Sequence, residues 1–187
     1  MKKDLLVFDC FGVCYNEIAP LVIGKYFDSV KAKEILSEYF PRIDRGFMSL
    51  EEAFEEWQSK YGLPLDEIRK SWSSGVIAKP ETLQAIKRLN KTYDIVLLSN
   101  APKGMVEKMF KDACMLPYFK KLYVSSALGL AKPDKAIYEY VIKDTNNAYE
   151  TYTMIDDNES NLVEPRNLGW KTIRFKSIED LAPLFKD

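Results

Sequence analysis

Short apolar runs alternate with segments of helical spacing from Pro80 to the end of the chain, and this alternation constrains the fold most. The predicted strands of this part lie at residues 95–98, 122–124, 151–155 and 171–174. Predicted helices accompany them at residues 80–89, 105–110, 137–142, 162–168 and 177–185. Such alternation is typical of β-α-β units, whose strands lie parallel in one sheet. The apolar run at residues 5–8 adds a fifth strand, so the sequence predicts an α/β fold.

Residues 15–78 break the alternation, because they show helical spacing alone. The strongest apolar stripe recurs every three or four positions: Leu50, Phe54, Trp57 and Tyr61. Ser49 and Glu52 form a capping box before it. Weaker patterns predict three more helices, at residues 17–27, at residues 35–40 before Pro41, and at residues 65–72. We therefore expect a small helical unit, residues 15–78, inserted into an α/β domain formed by residues 1–14 and 79–187.

Two helices of the second half carry boundary signals. Pro133 is predicted in the first turn of the helix at residues 137–142, since proline suits that turn. Ser177 and Asp180 form a capping box at the start of the last helix.

The balance of charged residues gives no sign of a basic surface that would bind nucleic acid or an anionic membrane. The 27 Lys and Arg residues are matched by 28 Asp and Glu residues, and the pI is about 5.7. Apolar runs stay below the roughly 18 to 20 residues of a membrane span, and the run after Asp4 is too short for a signal peptide. Three cysteines without a framework spacing, Cys10, Cys14 and Cys114, suit a reducing compartment. We expect a cytoplasmic protein that binds neither nucleic acid nor membrane.

The chain contains no histidine. Histidine-ligated zinc, histidine general bases, and serine or cysteine nucleophiles that depend on histidine are therefore excluded. The chemistry left to this chain is that of carboxylates or lysines, or binding without chemistry.

Polar residues stand where three predicted strands end and ahead of one later helix: Asp9, Ser99, Asn100, Lys132, Asp156 and Asp157. The carboxyl ends of parallel strands share one edge of the sheet, so we expect these residues to converge. Neighbouring carboxylates raise one another's pKa values, and a hard divalent cation such as Mg²⁺ relieves the repulsion. A lysine adds positive charge, and a serine hydroxyl with helix N-terminal amides binds phosphate. Together these groups indicate attack on phosphorus through an aspartyl-phosphate.

Four segments resemble, in order and spacing, the motifs of the haloacid dehalogenase-like (HAD) hydrolases: FDCFGV at 8–13, LSN at 98–100, GLAKPD at 129–134 and IDDNESN at 155–161. The resemblance covers essentially the whole chain, because residues 15–78 look like the helical cap that this family inserts after its first strand. It implies a Rossmann-like parallel sheet with that cap over its edge, and a phosphatase of a small phosphorylated metabolite.

The same resemblance implies a role for each polar residue. Asp9 corresponds to the nucleophile, and Lys132 to the lysine that steadies both nucleophile and phosphate. Ser99 corresponds to the phosphate-binding hydroxyl, with Asn100 beside it as a further substrate-binding residue. The implied Mg²⁺ ligands are Asp9, Asp156, Asp157 and the main-chain carbonyl oxygen of Phe11.

Phe11 departs from the family pattern, because phosphatases of this family usually have a second aspartate two residues after the nucleophile. That aspartate transfers protons, and general acid-base catalysis contributes about 10² to 10⁴ to a rate. We therefore expect slow turnover, least impaired on acyl, aryl or anomeric sugar phosphates, whose leaving groups need no proton. A main-chain carbonyl does not depend on the side chain, so the metal site is expected to survive.

The sequence thus predicts a Mg²⁺-dependent phosphatase, monomeric or homodimeric, and leaves two alternatives open. One is an impaired member that binds a phosphorylated ligand or a protein partner, and the other is a metal-independent enzyme resembling haloacid dehalogenases. Structural roles also stay open: Asp9 capping its turn, Ser99 and Asn100 shaping theirs, or Lys132 exposed before a helix. Arg42 and Arg45, expected in a loop after Pro41, either face solvent or reach a substrate anion.

Overall fold

The computed structural model describes residues 4–185, and that part of the chain contains one five-stranded sheet. Its strands are β1 (Leu5–Phe8), β2 (Asp94–Ser99), β3 (Lys121–Val124), β4 (Tyr152–Asp156) and β5 (Lys171–Arg174). They run parallel in the order β3-β2-β1-β4-β5, so β1 lies at the centre and pairs with β2 and β4. The predicted strands and the Rossmann-like α/β fold are confirmed.

Helices connect and cover these strands: α1 (Ala19–Ile23), α2 (Ser29–Asp44), α3 (Leu50–Tyr61), α4 (Leu65–Ser74), α5 (Pro80–Leu89), α6 (Met105–Asp112), α7 (Ser125–Leu128), α8 (Lys135–Asp144) and α9 (Ser160–Asn167). Two 3₁₀ helices lie at Leu116–Tyr118 and Ile178–Leu184. Within residues 4–185, no helix has the length and the apolar composition needed to cross a membrane.

The sheet is covered on both faces, as its continuous apolar strands require. In β1, Leu6 and Phe8 join one buried cluster with side chains of α5, α6 and the last 3₁₀ helix. Leu5 and Val7 join a second cluster, with side chains of α8 and α9. All four residues of β1 are 0% exposed, and burying a side chain of this size stabilises a fold by roughly 1.5–3 kcal/mol. Packing on both sides therefore sets the position of the residue that follows β1.

Helices α1 to α4 form a third apolar cluster, whose buried members all lie between Ile18 and Trp72. Within it, Trp57 packs edge to face against Tyr39, with ring centroids 5.5 Å apart. The predicted capping box before α3 is confirmed, because Ser49 and Glu52 each accept a hydrogen bond from the other's main-chain N–H. The division into a helical unit (15–78) and an α/β domain (1–14 and 79–187) stays a prediction.

Two helix boundaries in this segment differ from those predicted. α2 continues through Pro41 to Asp44, although a proline inside a helix costs about 3 kcal/mol. Ile43 is 0% exposed in the third cluster, so packing of the last turn outweighs the local preference. The predicted helix at 17–27 is shorter, because α1 reaches its C-cap at Gly24.

Two boundary predictions of the second half are also corrected. α8 begins at Lys135 with Asp134 as its N-cap, so Pro133 lies in the preceding loop and not in the first turn. The last helix is 3₁₀ over Ile178–Leu184, and Pro183 inside it lacks the N–H that an α-helical bond would need. Its predicted capping box, Ser177 with Asp180, is present.

Candidate active site

Asp9, Lys132, Asp156 and Asp157 meet at the carboxyl edge of the sheet. Asp9 follows β1, Asp156 is the last residue of β4, and Lys132 lies in the loop between α7 and α8. The Nζ atom of Lys132 lies 2.7 Å from Oδ1 of Asp9 and 2.7 Å from Oδ2 of Asp156. The Lys132 side chain is 1% exposed, so both ion pairs are shielded from water. The structure therefore brings together residues that are far apart in the sequence.

Asn100 holds the main chain of Lys132 through both ends of its side-chain amide. Its Nδ2 donates to the carbonyl oxygen of Lys132 at 2.8 Å, and its Oδ1 accepts from the N–H of Lys132 at 2.8 Å. This two-point contact sets the direction in which the lysine side chain leaves its loop. The substrate contact predicted for Asn100 stays a prediction, and no sequence signal pairs residues 100 and 132.

Ser99 ends β2 and is 0% exposed. Its Oγ lies 3.4 Å from the main-chain oxygen of Asn100, which is a long contact. The N–H of Ala101 donates to Oγ of Ser125 at 3.0 Å, and this bond ties the turn after β2 to the start of α7. The phosphate-binding role of Ser99 stays a prediction.

Asp156 is 0% exposed and is surrounded by hydrogen-bond donors. Its Oδ1 accepts from the N–H of Asn158 at 2.9 Å, and both of its carboxylate oxygens lie 3.1 Å from Nδ2 of Asn161. Together with the ion pair to Lys132, these bonds hold the carboxylate in one orientation. Asn161 lies inside a motif quoted above, but its role becomes visible only once α9 is placed beside β4.

Three carboxylates share the site, since one oxygen each of Asp9, Asp156 and Asp157 lies within 4.8 Å of the others. Burial, and then the charge of Asp156, raises the pKa of Asp9 well above its ordinary value and also raises that of Asp157. Burial alone would lower the pKa of Lys132, but the charges of Asp156 and Asp9 outweigh it and raise that pKa. Three carboxylates thus face one buried ammonium group, and the excess negative charge and hard oxygen donors suit Mg²⁺.

The turn after β1 approaches Asp157 so closely that a side chain does not fit between them. Gly12 has a φ of +79°, and a Cβ atom on it would overlap the carboxylate of Asp157. Nζ of Lys79 donates to the carbonyl oxygen of Gly12 and holds this turn from the other side. Gly12 had no predicted role, although a glycine directly after the strand-ending motif is a signal for a close approach.

A cavity of about 270 Å³ lies over these groups, and we call it the catalytic cavity. Asp9, Lys132 and Asp157 line it on the sheet side. Residues of the helical unit (15–78), which we also call the helical segment, form the other wall: Glu17, Ile18, Ala19, Phe40, Asp44 and Trp72. Phe11 also lines this cavity and packs, partly buried, against both the first and the third apolar cluster. An aromatic ring therefore stands at the position of the second aspartate.

Asp44 is a carboxyl group of the catalytic cavity to which the sequence pattern assigns no role. It is the last residue of α2, and burial raises its pKa to about 7, although the charges of Lys132 and Arg45 lower it in part. The helix was predicted to end before Pro41, which would leave residue 44 in a loop. The observed extension of α2 carries it to the cavity.

Arg45 links the helical segment to the core. Its Nη2 lies 2.6 Å from Oδ2 of Asp134, in the loop that also carries Lys132. Arg42 lies inside α2 and is exposed, so it does not lie in the predicted loop, whereas Arg45 is the C-cap and lies in the turn that follows α2. Next to Arg45, a Cβ on Gly46 would lie 2.5 Å from the carbonyl oxygen of Ser126, so the two parts approach closely here as well.

Fold and site together define an α/β protein with a carboxylate and lysine centre at the carboxyl edge of its sheet. The family model of the haloacid dehalogenase-like hydrolases matches residues 3–164. The chain belongs to this family, which confirms the resemblance of its four motifs.

Two curated relatives and one solved structure show which proteins the chain is similar to. A drimenol cyclase from Aspergillus calidoustus is 26% identical over 186 residues, which covers 94% of this chain and 34% of that relative. The chain thus spans about a third of the length of this relative. A D-ribitol-5-phosphate phosphatase from Bacteroides thetaiotaomicron is 27% identical over 145 residues, 72% of this chain and 70% of the relative. A HAD family enzyme of the same organism, whose structure is solved with magnesium and inorganic phosphate, is 25% identical to this chain. The two structures superpose with a TM-score of 0.76, and the match covers 98% of this chain and 99% of that enzyme's chain.

Proposed function

We propose that this chain is a Mg²⁺-dependent phosphatase of a small phosphorylated metabolite, acting through an aspartyl-phosphate on Asp9. The observation that carries the proposal is the group of three carboxylates around one buried ammonium group, Lys132, at the carboxyl edge of a parallel sheet. The related phosphatase and the related structure with magnesium and phosphate support it. The cytoplasmic location and the monomeric or homodimeric state remain predictions.

Asp9 presents one oxygen for attack while its other oxygen is held. Within residues 4–185, the N–H of Cys10 and Nζ of Lys132 both lie 2.7 Å from Oδ1 of Asp9. We therefore assign Oδ2 as the nucleophile. Its bond to phosphorus forms as the P–O bond of the ester breaks, and the leaving oxygen departs with the electron pair of that bond. Lys132 stabilises the negative charge of the nucleophile and of the phosphate.

Water then attacks the phosphorus of the aspartyl-phosphate, which frees Asp9 and releases phosphate. The residues that would hold Mg²⁺ are Asp9, Asp156, Asp157 and the main-chain carbonyl of Phe11, and the bound ion would neutralise charge on the phosphate oxygens. The ring of Phe11 can neither donate a proton to the leaving oxygen nor accept one from water. We therefore expect proton transfer to limit turnover.

Removal of divalent cations is expected to lower phosphate release by on the order of 10² or more, because metal ions supply several kcal/mol of charge stabilisation in such sites. Without the ion, three carboxylates repel the phosphate and one ammonium group attracts it. The measurement is phosphate release from acetyl phosphate in EDTA, and again after excess Mg²⁺ is added to the same sample.

Recovery with Mg²⁺ separates loss of the ion from damage to the protein. Phosphate release that EDTA leaves unchanged contradicts the proposal. Activity on a 2-haloacid that survives EDTA would favour the metal-independent dehalogenase alternative instead.

Residues 15–78 act in this proposal as a cap that closes the catalytic cavity, and Asp44 supplies a proton in place of the missing second aspartate. Asp44 lines the same cavity as Asp9 and Phe11, and the charged groups that face it are Lys132, Arg45 and Glu17. Because its pKa is raised to about 7, its acid form persists up to that pH. A protonated carboxyl group can donate to the leaving oxygen of an alkyl phosphate.

Asp44→Asn is accordingly expected to lower kcat on butyl phosphate by roughly 10- to 100-fold, with a much smaller loss on acetyl phosphate, whose leaving group needs no proton. With Asp44 present, the rate on butyl phosphate falls as the pH rises through about 7, and this fall is absent in the variant. Steady-state pH profiles on both substrates measure the effect. Equal losses on the two substrates would rule out proton donation by Asp44.

A further inference from the structure

A second and larger cavity, a cleft of about 1250 Å³, lies between the helical segment and the core, and we call it the apolar cleft. Phe47, Leu50 and Val76 line it on the helical side, and Met105 and Ala113 line it on the side of α6. Charged side chains also contribute to its wall: Glu51, Glu52, Lys103, Lys108 and Asp112. These five charged residues are exposed, whereas Leu50, Val76, Met105 and Ala113 are only partly exposed, so the charges belong to the solvent side of the cleft.

The apolar cleft adjoins the catalytic cavity. Trp72, Pro102 and Met105 line both spaces. Trp72 comes from α4, Met105 is the first residue of α6, and Pro102 lies in the loop between β2 and α6. The two spaces are therefore neighbours that share this part of their walls.

Two contacts beside the cleft join the helical unit (residues 15–78) to the rest of the chain. The ion pair of Arg45 with Asp134 joins the end of α2 to the loop before α8. Gly46 and Ser126 both line the cleft and approach each other closely through their main chains.

The chemistry of the wall selects among occupants. A hydrocarbon chain gains roughly fourfold in affinity for each methylene that it buries there. A peptide would bring main-chain N–H and C=O groups, which apolar side chains such as Leu50, Val76 and Met105 cannot pair. The catalytic cavity, at about 270 Å³, has room for a phosphate group but not for a long chain as well. The larger volume beside it suits the rest of such a molecule.

We propose that the apolar cleft binds the hydrocarbon part of the substrate, so that the preferred substrates are phosphate monoesters of long apolar alcohols. The phosphate lies against Asp9 and Lys132, and the chain passes Trp72 and Met105 into the cleft. Hydrolysis of such an ester consumes one water and yields the free alcohol and inorganic phosphate. This inference rests on the proposed phosphatase function for turnover, whereas the binding of the chain can be measured without turnover.

The first experiment measures binding of non-hydrolysable phosphonates by calorimetry, in Mg²⁺ and below the concentration at which they form micelles. Octylphosphonate is expected to bind at least about tenfold more tightly than butylphosphonate, because four further methylenes enter the cleft. Octan-1-ol, which lacks the phosphonate, is expected to bind at least about tenfold more weakly than octylphosphonate, because it makes no contact with Lys132. Equal affinity for the two phosphonates, or for the alcohol and octylphosphonate, overturns the proposal.

The second experiment fills the cleft. Ala113 lines the apolar cleft but is not among the residues of the catalytic cavity, and Ala113→Phe places a ring in the space. The ratio of octylphosphonate to butylphosphonate affinity is expected to fall at least about tenfold. Lys111→Phe, which adds the same ring at an exposed position of α6 outside the cleft, is the matched control and should leave the ratio unchanged. An unchanged ratio in a folded Ala113→Phe protein overturns the proposal.

Turnover separates the two proposals from each other. kcat/KM for octyl phosphate is expected to exceed that for butyl phosphate by at least about tenfold, since both have the same leaving-group chemistry and differ only in buried methylenes. Tight binding of octylphosphonate without hydrolysis of any phosphate ester supports the cleft and refutes the phosphatase function. Hydrolysis that is independent of chain length supports the phosphatase and refutes the cleft.

Discussion

Asp9→Asn is expected to lower phosphate release by at least about 10³-fold at saturating Mg²⁺ and substrate, because the reacting oxygen of the carboxylate is replaced by an amide. The surrounding geometry should survive. Oδ1 of an asparagine can still accept from the N–H of Cys10 and from Nζ of Lys132, the two donors 2.7 Å from Oδ1 of Asp9. The measurements are phosphate release and acid-quench trapping of the phosphoenzyme, which should form on the wild-type chain and not on the variant.

Stability distinguishes a lost nucleophile from a lost fold. The pKa of Asp9 is raised in the folded protein, so its contribution to stability is present below its ordinary pKa and is lost as the pH rises through the folded value. Asparagine at position 9 has no carboxylate charge to bury. The free energy of unfolding of the metal-free Asp9→Asn variant at pH 7, measured with urea, should therefore equal or exceed that of the wild type.

Asp66→Asn is a matched control for the same chemical change. Asp66 is an exposed residue whose surface ion pair with Arg69, at 3.2 Å, is worth at most about 1 kcal/mol. Its activity should stay at the wild-type value. A phosphoenzyme on a folded Asp9→Asn protein would show that the nucleophile lies elsewhere.

The meeting of the carboxylates at the edge of the sheet was predictable, because each strand and the residue that ends it can be recognised from a short stretch of sequence. The run at residues 5–8 contains no polar side chain, so it had to lie between two apolar layers, with Asp9 emerging at the edge. Asp156 ends β4, a strand whose residues are all buried, and Asp157 follows it. Parallel topology alone then brings these carboxylates together, without knowledge of any loop.

Contacts between loops were not predictable, because they depend on the distance between segments that the sequence does not relate. The clamp of Asn100 on Lys132 needs the turn after β2 and the loop before α8 to meet in one register. Gly12 matters only because Asp157 lies against it. Asp44 reaches the catalytic cavity only because the packing of Ile43 carries α2 past Pro41. Tertiary packing thus overrode the local signal at the point where the cavity wall is formed.

Phe11→Asp is expected to raise kcat on butyl phosphate by roughly 10- to 100-fold, because it restores a proton-transfer group beside Asp9. The increase in kcat on acetyl phosphate should be smaller, since the leaving group of acetyl phosphate needs no proton. Phe11 packs partly buried against the first and third apolar clusters, so the substitution is also expected to cost up to about 3 kcal/mol of stability. Steady-state kinetics at a temperature where the variant is folded measure the effect.

Phe11→Asn removes the same ring and adds no acid. The ratio of kcat on butyl phosphate between Phe11→Asp and Phe11→Asn therefore reports the effect of the carboxyl group alone, without the loss of packing. A ratio near one would mean that the proton role of residue 11 does not limit this site. If the wild-type chain binds phosphate analogues without turnover and only Phe11→Asp turns over, the natural chain is the impaired binding member considered above.

Asp44 provides a further criterion, because two donors for one leaving oxygen are redundant. The loss caused by Asp44→Asn on butyl phosphate should therefore shrink when Phe11→Asp is present, and an undiminished loss would place the two groups on different steps.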